Sequence, residues 1–243
     1  MAKIEKLGSL YFGGLPQKVG VAYNGEQISF GDSTPGQEIS WVRMQSGLLV
    51  ADRCVCTNIS WEDLDKEGFV FGTLVTINGE TYLCHCLKVG AKEGETNEWD
   101  AALDETGEGN DLWHWKNKYF WGQETSEQGA SLERGALLRA VRGCPSARFW
   151  YHHGASYRSV YLGFRPALEY LGSVSYSPDT LVGKAIKAYF PGGVSIKGHL
   201  VDFSDYDIVL EASTPVPVGC SWATTEGRNI VIDQGNIIWL KEV

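Results

Sequence analysis

Hydrophobic positions along the chain fall into short runs of β-branched and aromatic residues, broken by turn residues. That is the pattern of strands and tight turns, not of a helical bundle. Ile39–Met44 and Leu48–Cys56 are strand-like runs separated by Gln45-Ser46-Gly47. Phe69–Ile77 and Thr81–Val89 flank Asn78-Gly79, the pair preferred in the type I′ turn of a two-residue hairpin. Val19–Tyr23 and Gln27–Phe30 read as a leading hairpin, joined to the rest by the turn-forming stretch Asp32–Gly36. Glu98–Glu105 reads as a short helix and Gly107–Asn110 as loop. Towards the C-terminus, Gly183–Phe190, Val194–Phe203, Tyr206–Leu210, Asn229–Asp233 and Ile237–Leu240 read as five short strands. Gly198 stands where a small barrel must bend, and Thr214–Gly227 reads as a Pro/Gly loop.

Composition sharpens this picture. The 243 residues include 29 Gly, 9 Trp and 11 Tyr but only 2 Met, which favours short strands and loops. The net charge is −9, the opposite sign to that of a protein coating nucleic acid, so nucleic acid is not an expected partner. No apolar run approaches the ~20 residues of a membrane span, and the N-terminus has no signal-like apolar stretch. A soluble, cytoplasmic protein is expected, with its 6 cysteines as thiols or metal ligands rather than disulfides.

Charge is segregated. Glu95 to Asp111 holds seven carboxylates and no Lys or Arg. Between Arg134 and Arg165 lie Arg139, Arg142, Arg148 and Arg158, with no Asp or Glu. The two segments read either as a structural ion-pair network or as an anion-binding face, since Arg forks suit phosphate and carboxylate. Aromatic residues cluster with the arginines. Arg148, Trp150, Tyr151, His152, His153, Tyr157 and Arg158, with Trp113 and Trp115, are candidate ligand contacts, because such side chains stack planar groups and hold anions. His152 and His153, if on a strand, face opposite ways and cannot share one metal. Cys54/Cys56 and Cys84/Cys86 are two C-x-C pairs. They read as small core residues, with a zinc site as the weaker alternative, because an extended pair fits tetrahedral ligation poorly. No nucleotide-binding glycine loop, nucleophile elbow or zinc-protease motif is present. No catalytic residue and no cofactor are expected.

Leu138–Cys144, Ser146–Trp150 and Ala155–Ser159, ending in Leu162-Gly163-Phe164-Arg165-Pro166, together resemble the C-terminal signature of C-type-lectin-like domains of the formylglycine-generating type. Ile28–Gly31, Ile39–Trp41, Leu48–Asp52 and the Gly163–Glu169 ending resemble a phage and bacterial variant of that domain. Gly193–Leu210 and the closing strand pair resemble an Sm-like domain. The resemblance implies an α+β C-type-lectin-like domain over residues 1–172, a linker at 173–179 and a small all-β Sm-like (SH3-like) barrel over 180–243. Gly163, Phe164 and Arg165 would be structural: the glycine turns under the core, the Phe buries and the Arg bridges loop carbonyls or a carboxylate.

The function implied is non-enzymatic binding. Loops of the lectin-like domain would hold a small anionic molecule such as a nucleotide signal, or a host protein. A phage-encoded protein of this kind would act in the host cytoplasm. The Sm-like domain would mediate homo-oligomerisation through the apolar run Asn236–Leu240. Two alternatives accompany it. A copper-dependent oxidase of the formylglycine-generating type would need a cysteine pair near Cys144, and no second cysteine lies between Cys144 and Arg165. An RNA-binding Sm-like oligomer would need a basic Lys-His element, where this chain has Asp233 and Gln234.

Overall fold

The computed structural model describes residues 3–127, 137–172, 177–212, 215–216 and 220–243. Arg134 and most of the expected linker lie outside the described residues. The chain forms two compact units, Met1–Tyr170 and Leu171–Val243.

The first unit is built on two sheets. One runs in the order β2 (Leu15–Gln17), β1 (Lys3–Phe12), β5 (Glu38–Arg43), β6 (Leu49–Ala51), β14 (Pro166–Gly172), β9 (Glu80–Cys86), β8 (Thr73–Ile77), with β4 (Ile28–Gly31) also paired to β1. The other runs β12 (Trp150–Gly154), β11 (Leu138–Gly143), β10 (Tyr119–Thr125), β13 (Leu162–Phe164), β7 (Cys56–Thr57), β3 (Val21–Ala22). Three short helices complete it: α1 (Trp61–Lys66), α2 (Glu98–Thr106) and α3 (Asn110–Trp113).

Local chemistry explains these elements. Asn78 (φ 51°) and Gly79 (φ 83°) take the two left-handed positions that a type I′ turn needs, and β8 pairs with β9 around them. Ser60 caps α1, its hydroxyl accepting from the Asp63 amide while the Asp63 carboxylate accepts from the Ser60 amide. Asn97 caps α2 through Asp100 N.

The main strands are apolar on both faces because both are covered. Ile39 and Trp41 enter a core with Trp121, Val141 and Phe164; the next residue, Val42, enters a second core with Trp99, Leu103, Trp113 and Phe120. Val50 and Ala140 also turn to the second core while their neighbours Ala51 and Val141 turn to the first.

Two sequence expectations are corrected here. Strand makes up 46 % of the structure and helix 13 %, so the α+β lectin-like class gives way to a mostly β protein with curled sheets. The physical reason is that the acidic segment supplies only short helices, while strands cover one another on both faces. The expected leading hairpin is also absent. Val21–Ala22 pairs in parallel with β7 in one sheet, whereas Ile28–Gly31 pairs with β1 in the other.

The second unit is one six-stranded antiparallel sheet: β18 (Ala223–Glu226), β19 (Asn229–Asp233), β17 (Asp207–Ala212), β16 (Ser195–Phe203), β15 (Ala185–Tyr189), β20 (Trp239–Glu242). β18 lies inside the expected Pro/Gly loop, and β18 and β20 end the sheet, so the five-strand barrel is replaced by a curled six-stranded sheet. The register of β16 against β17 shifts between Leu200 and Asp202, which bends the long strand. Ile186, Ala188, Ile196, Leu200, Ile208 and Leu210 fill its core.

The Gly163-Phe164-Arg165 element sits deep in the first unit. A Cβ on Gly163 would lie 2.2 Å from the Cys56 carbonyl oxygen, so only glycine lets β13 approach β7 this closely. Phe164 is fully buried against Phe30 and Phe69. Arg165 is 0 % exposed and donates to the carbonyls of Asp52 (3.2 Å) and Trp113 (2.5 Å). Its guanidinium lies 4.9 Å from the Trp99 ring centre and 4.8 Å from that of Phe120. Burial pulls its pKa down to about 10, which leaves it a cation at neutral pH. Arg158 is the contrast: an exposed side chain paired with Asp63 at 2.7 Å. Arg165→Ala should therefore cost on the order of 2–4 kcal/mol in urea unfolding. Arg158→Ala should cost less than about 1 kcal/mol. Equal losses would show that both arginines are framework.

Candidate ligand-binding site

Residues on β10, β11 and β12 alternate between the two cores, so one side of these strands carries an aromatic face. Arg139 pairs with His153, and Val141 with both Tyr151 and Trp121. These residues and Tyr119 share one side of the sheet. Trp121 and Val141 are buried in the main core, while Tyr151, Tyr157 and Phe149 remain open to solvent.

His153 stands at the centre of the face. It stacks on Tyr157 at 4.6 Å and 19°, and meets Tyr151 (5.3 Å), Tyr119 (6.0 Å) and Trp121 (6.4 Å) edge-on. Tyr151 in turn lies parallel to Phe149 at 6.2 Å and to His152 at 4.9 Å. The hydroxyls of Tyr151 and Tyr157 have no hydrogen-bond partner among the described residues, so each offers a ring face and a free polar tip. Burial, followed by the neighbouring His152, pushes the His153 pKa below its ordinary value of 6.5. The ring is thus neutral at pH 7, and among the described residues it has no carboxylate partner that would make it a general base.

The structure separates the other expected contacts from this face. Arg148 is held by Asp104 (2.6 Å), Glu108 (2.5 Å) and Asp100 (3.5 Å). Arg142, buried, donates to the Arg148 carbonyl (2.7 Å) and pairs with Asp100. The acidic and basic segments are thus an internal ion-pair network at these positions. A 410 Å³ cleft lined by Glu93, Glu95, Asp100, Asp104, Arg142 and Arg148 holds both signs of charge, and its arginines are already bound.

The tryptophans are also framework. Trp150 is buried and donates to the Gly90 carbonyl (2.9 Å). Trp113 is fully buried, edge-on to Trp99, and donates to Gly107 O (3.1 Å) and Thr106 Oγ1 (3.0 Å). Trp115, half-buried, donates to the Glu108 carbonyl (2.8 Å). Arg158 follows Tyr157 in sequence but spends its charge on Asp63.

Four of the expected contacts, Tyr151, His152, His153 and Tyr157, are brought together. Phe149 and Tyr119 were missed. The alternation of 149, 151 and 153 through β12 was the signal for the first; only the β10–β11 pairing reveals the second. His152 and His153 lie on a strand, as the metal argument required.

The cysteines do not converge. Cys54 belongs to the second core, whereas Cys56, Cys84 and Cys86 belong to the main one. Burial raises all four thiols above their ordinary range. Among the described residues, no group of three or more His, Cys, Asp or Glu is placed to hold a metal ion. Among the described residues, no helix is long and apolar enough to cross a membrane.

Comparison of the chain with protein-family models, with curated proteins and with solved structures gave no match.

The lowered His153 pKa has a measurable consequence. The folded ring takes up its proton at lower pH than the unfolded one. Its neutral state therefore contributes stability that is present above about pH 6.5 and lost as pH falls from there towards the folded pKa. Thermal melts between pH 7.5 and 5 should show wild type losing stability faster on acidification than His153→Gln. Parallel curves would show that His153 titrates as if free.

Proposed function

We propose that the protein binds, without transforming it, a small planar molecule that carries negative charge, such as a nucleotide. The observation that carries this reading is the face of Phe149, Tyr151 and Tyr157, whose rings are exposed around the half-buried His153 on β12, the end strand of its sheet. Rings on a rigid sheet lose little entropy when a flat ligand stacks on them, and stacking on an aromatic side chain is worth ~1–3 kcal/mol per base. Lys118 supplies charge nearby. Its Nζ donates to the Val160 carbonyl at 2.7 Å and lies 6.0 Å from the centre of the exposed Tyr161 ring.

The oxidase reading lacks a second thiol at Cys144. Four of the other cysteines are buried, and Cys220 belongs to the second unit. The RNA reading is disfavoured because Asp233 accepts from Gly235 N (2.8 Å) and Gln234 donates to the carbonyls of Ser204 and Asp207, so both serve the turn. Self-association of the second unit is supported by β18 and β20, which end its sheet. Six free cysteines suit a reducing compartment and support the cytoplasmic reading.

Isothermal titration with the four common ribonucleoside monophosphates tests the binding reading. At least one should bind saturably, and Tyr157→Ala should weaken it about tenfold, the worth of one stacking face. Absence of binding, or binding as tight as wild type in both Tyr151→Ala and Tyr157→Ala variants, would contradict it. A host protein captured in place of any nucleotide would favour a protein ligand.

A further inference from the structure

A second concavity of the first unit, about 330 Å³, opens beside α3 and the turn that follows it. Arg53, His114, Lys116 and Lys118 line it together with Asn110 and Thr57, and no carboxylate is among its lining residues. In a chain of net charge −9, three permanent cations around one hollow run against the whole.

The cations are held in place; the charge of Arg53 is balanced by a carboxylate, while that of the two lysines remains available. Asp52, almost buried, grips Arg53 through two bonds, Nε to Oδ1 (3.0 Å) and Nη2 to Oδ2 (2.8 Å). Nη2 also lies 2.9 Å from His114 Nε2. A guanidinium only donates, so His114 Nε2 accepts and its proton sits on Nδ1. Arg53 Nη1 is left without a partner among the described residues. Lys118 is bonded to a neutral carbonyl, that of Val160, which leaves its charge uncompensated. Lys116 Nζ has no partner among the described residues, and its backbone N–H is fixed by Asn110 Oδ1 at 2.8 Å. The segment carrying both lysines is tightly turned. His114 (φ 45°) and Asn117 (φ 59°) both adopt left-handed backbone, which costs free energy at non-glycine positions.

We propose that this hollow is a seat for a phosphoryl group. A phosphate carries up to two charges on oxygens that point several ways, which suits a fork from Arg53 and two separate ammonium groups from Lys116 and Lys118. A carboxylate, with one charge and two oxygens in a plane, would leave part of this array unused. The seat adjoins the aromatic residues through Lys118, which precedes Tyr119 and bonds the Val160–Tyr161 turn. It therefore deepens the reading of a planar, negatively charged ligand and rests on that reading only for the planar half: rings stack on the aromatic face, and the phosphoryl group enters the pocket.

The test separates the halves with simple probes on the full-length protein. Inorganic pyrophosphate, acetate and adenosine are titrated calorimetrically at low ionic strength into wild type and a Lys116→Ala/Lys118→Ala variant. The seat predicts that pyrophosphate binds wild type, that the double variant loses at least tenfold in affinity, and that acetate binds at least tenfold more weakly than pyrophosphate. Adenosine should bind both proteins equally. Lys116 is exposed, so Lys116→Ala alone serves if the double variant melts early; it should weaken pyrophosphate, and Lys116→Arg should restore most of the affinity. Pyrophosphate binding that is absent, unchanged by the lysine substitutions or matched by acetate would overturn the seat. Pyrophosphate binding without adenosine binding would uphold the seat and overturn the aromatic half.

Discussion

A fully buried arginine ties together the segments that wall the basic pocket. The Arg165 guanidinium donates to the carbonyl of Asp52, the residue before Arg53, and to the carbonyl of Trp113, the residue before His114. Two segments far apart in sequence are thereby fixed side by side, and together they wall the basic pocket. An isolated charge in a protein interior costs several kcal/mol, so it persists only where carbonyls and ring faces replace water. Here the carbonyls, with Trp99 and Phe120 close to the guanidinium, do so. Gly163 and Phe164 deliver the arginine to that position: the glycine admits the close approach to Cys56, and the phenylalanine anchors the strand in the main core.

The abundance of aromatic residues serves mainly the framework. Trp41, Trp61, Trp99, Trp121 and Trp150 each bury the ring and spend the indole N–H on a distant backbone carbonyl: Leu7, Gly122, Ala147, Ile59 and Gly90 respectively. Each tie closes a long loop by burying apolar area and satisfying one polar group at once. Where β12 reaches the end of its sheet, the rings of Phe149 and Tyr151 turn outward. The aromatic face is thus an extension of the packed core into solvent, and its rigidity follows from the strands beneath it.

Much of the local structure was legible in the sequence. Asn78-Gly79 placed a hairpin and the helix from Glu98 was visible in the acidic segment, while the structural role expected of Gly163, Phe164 and Arg165 came with the lectin-like resemblance. What escaped was pairing at long range. The ten-residue β1 begins with charged residues and contains a left-handed glycine at position 8, so it lacks a strand pattern until its partner β5 is known. Val19–Tyr23 and Gln27–Phe30 are close in sequence and enter different sheets. Trp113, Trp115, Trp150 and Arg148 have the chemistry of ligand contacts, and only their hydrogen bonds and ion pairs show that this chemistry is already spent. Arg53 stands far in sequence from Lys116 and Lys118, and it is Arg165 that brings the two segments together.

One ligand site, stacked on the β12 face and charged from the Arg53–Lys118 pocket, is the central claim. Photoaffinity labelling with 8-azidoadenosine monophosphate, followed by peptide mapping, tests it most directly. The label should enter the segment from Phe149 to Tyr161, and excess adenosine monophosphate or pyrophosphate should each suppress it. Labelling confined to the second unit, or labelling of that segment that neither competitor reduces, would contradict a single site of this kind.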